Sequence, residues 1–554
     1  MQNSTRRIIS ICLFTEKHTL FFITILMLVS AFFRFYNLNW GSPFYFHPDE
    51  RNIAGVVASS SFTTISSFLK GTFAYGNFPI LLASLIKSIP TPFWGFAGIS
   101  DSFAESILIL RFLSAFFSIL LLPVIFFCGK FWSKKTAFLA LLFSIFSVGF
   151  IQQAHFGTFD GFISFCSLTV FFLLLLFMQS KKIYFYYLAL LFISLGAASK
   201  ITLLILVAFP IIILLLEVKK KSLSWLKALR HIVVSLLLVS ALTALFSPYY
   251  ITTDFKNGLL NERGIVTGTT QVFYTQSFTG TKAVIFQFFS IFPFLANPLL
   301  TVIFIPSFFY LVFIGIKTRD TGSLLLCGFF LILFLPQAFL YAKWTRYMVP
   351  TLPFMYLICA IASVDFWVFL SKRRRVFIKF LLLSILIGVN SIFGISYFIT
   401  AFVQEDTRIA AKNFSKQHIP PNLSILSEVY DLGITPFNGS FHNITLYNFY
   451  DLDNSSPQYT PQTLAEQLAV SDYIILPSQR ILKARLQEAQ IYPNGHDFYS
   501  ALFAQTNGFQ KIYETPCDIF CKITYLNNPV FSFEETANVF DRPTVFIFKK
   551  NENL

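Results

Sequence analysis

Long apolar stretches alternate with short polar loops over roughly the first 400 residues. Runs long enough to cross a bilayer lie at 19–37, 104–127, 136–153, 161–179, 184–199, 201–217, 231–247, 298–316, 322–341, 348–370 and 378–399. A helix rising 1.5 Å per residue needs about 20 apolar residues to cross about 30 Å of hydrocarbon, so the pattern predicts about eleven membrane-spanning helices. From residue 400 the pattern changes. Strand-like runs ("DYIIL" 472–476, "TVFIF" 544–548) alternate with helix-like ones ("LAEQLAV" 464–470, "RILKARLQEAQ" 480–490), which predicts an α/β domain. The expected organisation is a transmembrane domain over 1–399 and a soluble domain over 400–554. No internal repeat or low-complexity linker interrupts it.

Lysine and arginine set the orientation. Alternate loops carry Arg6, Arg7 and Lys17; Lys130, Lys134 and Lys135; Lys181 and Lys182; Lys219 to Lys221 with Lys227 and Arg230; Lys317 and Arg319; and Lys372 with Arg373 to Arg375. With these loops on the cytoplasmic side, the N-terminus lies inside and the C-terminal domain outside. The run at 19–37 is too long for a signal-peptide core and lacks an A-x-A-like cleavage site, so it reads as an uncleaved first helix.

Composition narrows the class further. With 55% hydrophobic and 12% charged residues among 554, the chain is a polytopic membrane protein. The net charge of +15 lies in the short loops between apolar runs, where it sets topology, so nucleic acid is not the implied partner. Of seven cysteines, Cys12, Cys128, Cys166, Cys327 and Cys359 lie in or beside apolar runs. Cys517 and Cys521 sit together in the polar domain; a local disulfide is one reading, a reduced pair the other.

The outer loops hold the candidate chemistry. The loop 38–103 carries "FYFHPDERN" (44–52), where Asp49 and Glu50 follow the first helix closely, and an apolar stretch at 79–89 suited to the membrane interface. Taken alone, Asp49 and Glu50 read as a helix cap or solvated loop acids. Asp160 stands at the outer end of the fourth run, preceded by His155. Carboxylates at membrane depth are costly unless paired or facing water, so this level of the molecule is a functional candidate. Arg34 and Arg111 lie inside apolar runs, Lys200 at an outer junction, and Lys343 and Arg346 in a short outer loop. Snorkelling to headgroups accounts for any one of them. Together they place cations beside acids on one surface, which is what a phosphate clamp next to a carboxylate base requires. No G-x-x-x-x-G-K-[ST] and no G-x-G-x-x-G after a strand is present.

Several stretches resemble, in order, a known family: "FHPDE" (46–50), "RFLSAFFSI" (111–119), "HFGTFDGFISF" (155–165), "GAASKITLLIL" (196–206), "FSPYYI" (246–251), "RYMVPTLPFMYL" (346–357), "DTRIAAKNFSKQHIP" (406–420) and "FDRPTVFIFKK" (540–550). They resemble the lipid-carrier-dependent glycosyltransferases of the GT-C fold, in particular the protein mannosyltransferase and aminoarabinose-transferase group. The resemblance implies a helical GT-C bundle. It also implies transfer of a sugar from a polyprenyl monophosphate to a hydroxyl, with inversion. It assigns the catalytic base to Asp49, with Glu50 positioning the base or the acceptor. His47, His155, Asp160, Lys200, Arg346 and Tyr347 fall to substrate, the cations to the carrier phosphate. Some GT-C enzymes use a divalent metal, for which Asp49, Glu50 and Asp160 could supply oxygens; the mannosyltransferase group generally needs no cofactor. The implied partners are a polyprenyl-phosphate sugar, membrane lipids, and a lipid, glycan or protein acceptor. The eukaryotic mannosyltransferases carry a β-trefoil insert that this chain lacks, which leaves the acceptor open. The competing class is a transporter or flippase of lipid-linked sugars. Its mark would be charge near the midplane and paired interrupted helices in two halves, and neither is visible.

Overall fold

The computed structural model describes residues 17–60, 69–72, 75–89, 101–372, 376–454 and 456–551, with only the backbone at 17–20, 372 and 376. Arg6, Arg7, Cys12 and Arg373 to Arg375 lie outside the described residues. The chain divides into two compact units. The first comprises Met1–Leu38, Asp49–Thr270 and Lys282–Gly394; the second comprises Asn39–Pro48, Gln271–Thr281 and Ile395–Leu554.

The first unit is helical. Its elements are α1 (Lys17–Phe35), α2 (Pro48–Ala58), α3 (Phe78–Lys87), α4 (Ser102–Lys130), α5 (Lys134–Ile145), α6 (Val148–His155), α7 (Asp160–Ser180), α8 (Ile183–Ala197), α9 (Ala208–Lys219), α10 (Trp225–Phe246), α11 (Thr253–Thr267), α12 (Pro298–Thr318), α13 (Thr321–Ala338), α14 (Leu352–Lys372) and α15 (Val376–Phe398). Short 3-10 segments at Ile201–Val207 and Thr345–Thr351 lead into α9 and α14. Helix lies over every predicted apolar run. Among the described residues eight helices are long and apolar enough to cross a membrane, or nine with the bent pair α5 and α6; Phe21–Phe35 and Ile183–Ala197 are shorter. The stretch predicted for the interface forms α3, which buries Pro79, Ile80, Ala83 and Ser84.

The bend between α5 and α6 is 51°, and its cause is local. Ser147 accepts from the Phe150 N–H and starts a new helix, so the last carbonyls of α5 lose their intrahelical donors. Arg34 supplies them. Its guanidinium is fully buried and donates to the carbonyls of Ser144 (2.9 Å) and Ile145 (3.3 Å) and to the hydroxyls of Ser118 (2.9 Å) and Ser30 (2.5 Å). Arg34 therefore neutralises a helix C-terminus inside the bundle rather than reaching for headgroups. Gly394 fits against the same break, where a Cβ would lie 2.1 Å from the Phe146 oxygen.

The second unit contains a five-stranded sheet in the order β2-β1-β3-β5-β4. Its strands are β1 (Ser424–Glu428), β2 (Asn443–Tyr447), β3 (Tyr473–Leu476), β4 (Phe509–Glu514) and β5 (Phe546–Lys550). β1 pairs in parallel with β2 and β3, while β5 runs antiparallel to β3 and β4. Leu426, Ile474 and Phe548 face one apolar core and Ile425, Ile475 and Ile547 the other. Both faces being covered explains why "YIIL" reads as an unbroken apolar run. α17 (Pro461–Val470) matches the helix-like stretch at 464–470, whereas "RILKARLQEAQ" yields only Leu482–Gln487; α16 (Thr407–His418) forms in a stretch for which no helix is predicted.

Two of the family-like motifs meet in this unit. Arg408 pairs with Asp406 (2.6 Å), donates to the Phe540 carbonyl (2.8 Å) and lies 3.5 Å over the Phe46 ring. Thr407 donates to the Pro543 carbonyl (2.8 Å). Cys517 and Cys521 form a disulfide with their Cα atoms 5.3 Å apart.

Candidate active site

The acidic motif opens α2, and its two carboxylates diverge. Asp49 and Glu50 both lie in the first turn, inside the helix rather than ahead of it as a cap. Glu50 turns inward. Arg111 of α4 donates from Nε to Glu50 Oε2 (2.8 Å) and from Nη2 to Oε1 (2.7 Å), and the Gly157 N–H donates to Oε2 (2.6 Å). Both side chains have no solvent exposure. Arg111 Nη1 also holds the Leu38 carbonyl (2.6 Å). This clasp binds the start of α2 and the loop before α7 to α4, and it buries both Glu50 oxygens against Arg111.

Asp49 turns the other way. Its Oδ2 accepts from Arg346 Nη1, at side-chain exposures of 29% and 15%. Arg346 belongs to the 3-10 segment ahead of α14. Asp160 is the first residue of α7, where the helix dipole favours a carboxylate. It is nearly buried and faces Lys200 Nζ at 3.5 Å. Lys200 lies 4.6 Å over the Tyr347 ring, and Arg346 stands 5.8 Å over the same ring and 5.1 Å over Trp344. Tyr347 thus sits under both cations. Burial lowers the Lys200 ammonium below its ordinary value, and Asp160 opposes that shift.

Asp49, Asp160, Lys200, Arg346 and Tyr347 are therefore brought together. His155 is bound to backbone instead. His155 is fully buried, with Nδ1 2.8 Å from the Ile151 carbonyl and Nε2 2.8 Å from the Tyr36 carbonyl, which joins α6 to the end of the α1 segment. His47 belongs to the second unit, buried with its ring 4.6 Å from Phe540. Lys343 is buried and donates to the Tyr341 carbonyl (3.1 Å).

Two groups escaped the sequence reading. Glu262 of α11 lies within electrostatic reach of Arg346, Lys200 and Asp49, and burial raises its carboxyl above the ordinary value. A signal for it existed: Glu262 stands seven residues after Phe255 and three before Ile265, the two buried residues of that helix. Tyr75 interacts electrostatically with Arg346, Asp49 and Asp160. It stands in an irregular loop whose position is set by backbone bonds from Gly76 N to the Ser199 oxygen (3.0 Å) and Phe78 N to the Ala198 oxygen (3.3 Å). Nothing periodic marks such a residue.

The acids do not form a metal-binding set. Arg111 occupies Glu50, Arg346 meets Asp49 and Lys200 meets Asp160, and among the described residues no three His, Cys, Asp or Glu side chains converge on a point that could hold a metal.

Beside the cations opens an apolar cavity of about 260 Å³. Lys200 and Tyr347 form its polar edge; Ile163, Leu203, Ile332 and Leu333 are among its walls.

No protein-family model matches the chain, and no curated protein does. Solved structures do. The crystal structure of the Archaeoglobus fulgidus oligosaccharyltransferase in complex with Zn and sulfate aligns over 95% of this chain and 88% of its own, at 12% identity and a TM-score of 0.50. The chain has the GT-C fold. ArnT from Cupriavidus metallidurans bound to undecaprenyl phosphate aligns over 96% of this chain and 98% of its own, at 11% identity and a TM-score of 0.48. At such identities the likeness is one of fold, and chemistry is to be argued from the side chains that this GT-C bundle assembles.

Proposed function

We propose that the chain is an inverting glycosyltransferase that moves a hexosyl or pentosyl group from a polyprenyl monophosphate to an acceptor hydroxyl. The site and the C-terminal domain (400–554) lie on the extracytoplasmic side of the plasma membrane, and 1–399 form the catalytic bundle. One observation carries the reading. Lys200 and Tyr347 belong at once to the acid–cation cluster and to the edge of an apolar cavity. A ligand with an anionic phosphate at the head of a long hydrocarbon chain fits that junction of charge and grease.

The chemistry follows from the pairing. Arg346 is paired with Asp49. An incoming phosphate competes for the guanidinium, and Asp49 is released beside the sugar as Arg346 turns to the phosphate. The acceptor hydroxyl loses its proton to Asp49 while its oxygen attacks the anomeric carbon. The bond from that carbon to the phosphate oxygen breaks on the opposite face. Its electron pair leaves with the carrier phosphate, whose charge Arg346 and Lys200 hold. Glu50 acts through position: fixed on Arg111, it sets the turn of α2 that aims Asp49. The acceptor is a lipid, glycan or protein hydroxyl.

The test is transfer from radiolabelled polyprenyl-phosphate sugars by purified wild type and Asp49→Asn, with host membrane extract as acceptor. Removal of a general base is expected to lower turnover by about 10²–10⁴-fold. Full activity in Asp49→Asn would sink the assignment. Labelled lipid crossing vesicle membranes with no carrier consumed would turn the reading to a flippase.

A further inference from the structure

At the far end of α14 from Arg346, a second group of cations converges on one aromatic ring. Lys135 Nζ lies 5.0 Å and Lys379 Nζ 4.8 Å from the centroid of Trp367. The two lysines come from different helices, each in the first turn, of α5 and α15, where the dipole already makes the potential positive. Two ammonium groups on one indole repel each other, and neither has a carboxylate partner among the described residues. The acid nearest in sequence, Asp365, accepts from the Tyr310 hydroxyl (3.1 Å). The Trp367 Nε1–H is buried and has no hydrogen-bond partner among the described residues. Two cations and an orphan donor at one place describe a site for an anion.

What surrounds them identifies the anion's other half. Phe380 lies under Lys379 and against Trp367, and it, Phe366, Phe369 and Phe377 on the same two helices have 54%, 52%, 51% and 77% of their surfaces exposed. They belong to the apolar spans Thr345–Ser371 and Phe377–Val403. A free phosphate has no use for that surface, whereas acyl chains do. The 3-10 segment and α14 together cover roughly 34 Å between Arg346 and Trp367, about one hydrocarbon thickness. The cluster therefore stands at the other membrane face from the acid–cation site, at headgroup level.

We infer that Trp367, Lys135 and Lys379 form a binding site for the phosphate of an anionic phospholipid. The inference is independent of the proposed catalysis and holds or fails without it.

Native mass spectrometry of the full chain, released from micelles doped with phosphatidylglycerol or phosphatidylcholine, tests it. Wild type is expected to retain phosphatidylglycerol in preference. Each lysine near an anionic headgroup contributes about fivefold, so Lys135→Gln with Lys379→Gln is expected to cut the preference about 25-fold. Lys219→Gln with Lys227→Gln removes the same charge elsewhere and is expected to leave it unchanged. Trp367→Phe keeps the ring and removes only the donor, and a partial loss is expected. If the double variant does not fold, either single lysine variant carries the test at about fivefold. No preference in wild type, or equal loss in both double variants, overturns the site. Complete displacement by millimolar inorganic phosphate would show that a free anion is the occupant and overturn the lipid assignment.

Discussion

The Arg111 guanidinium donates to both oxygens of Glu50 and to the Leu38 carbonyl with no exposure to solvent. Glu50→Ala would remove the carboxylate that this buried guanidinium grips with two nitrogens. The expected cost is about 3–5 kcal/mol, seen as loss of folded protein or a lowered unfolding midpoint in detergent. Asp49→Asn, at a partly exposed position, is expected to keep the fold while losing turnover. Adjacent acids thus separate by assay: Glu50 in stability, Asp49 in rate. A third acid gives a pH signature. Glu428 ends β1 fully buried, Tyr499 donates to its Oε1, and Oε2 has no partner among the described residues. Burial pushes its carboxyl from 4.5 up to about 8. A raised folded value means that the folded state binds the extra proton. Its stability is therefore full below pH 4.5 and lost as pH rises toward 8. Glu428→Gln, which cannot ionise, is expected to flatten this profile and to raise the unfolding midpoint at pH 8 by ~5 °C. A profile as steep as wild type would show that Glu428 is not the group that titrates.

Among the elements, the membrane helices were legible because hydrocarbon thickness leaves a mark in run length, and each apolar run became helix. The break after Ile145 was not, because neither proline nor glycine marks it; a serine cap and a distant arginine make it. The 3-10 segment at 201–207 read as plain helix, since its side chains are as apolar as their neighbours, and the one at 345–351 straddles the end of a predicted loop and the start of the run at 348. In the site, Asp49, Asp160, Lys200, Arg346 and Tyr347 were legible as charges and a ring at one membrane level. Their partners were not, because the choice of Arg346 for Asp49 and Arg111 for Glu50 is made by tertiary packing. The partners of His155 were not legible either: both of its ring nitrogens meet backbone carbonyls, those of Ile151 and Tyr36. The disulfide, one of two open readings, closes a short loop beside the helix Ile519–Thr524. Such a loop stabilises by about 2 kcal/mol in the chain-entropy account. Reduction is expected to lower the midpoint accordingly, and alkylation of Cys517 and Cys521 is expected only after a reductant is added. Labelling without reductant would show the pair to be free thiols.

For the molecule as a whole, the proposed topology puts the lysine-rich loops on the cytoplasmic side and the disulfide-bearing domain outside. Fusion of alkaline phosphatase at the C-terminus is expected to give active enzyme, and fusion in the loop at 219–224 to give inactive enzyme; the reverse pattern would invert the topology. The ion pairs also carry a timetable. Glu50 and Arg111 are 61 residues apart, whereas Asp49 and Arg346 are separated by 297. At cellular synthesis rates the first partner follows within roughly 3–12 s and the second only after roughly 15–60 s. The clasp that aims the acid can therefore close while most of the chain is still unmade. Asp49 then waits, already placed in its turn of helix, for a guanidinium that arrives with one of the last spans. A nascent chain stalled before residue 346 would carry the finished acid without the cation that pairs with it.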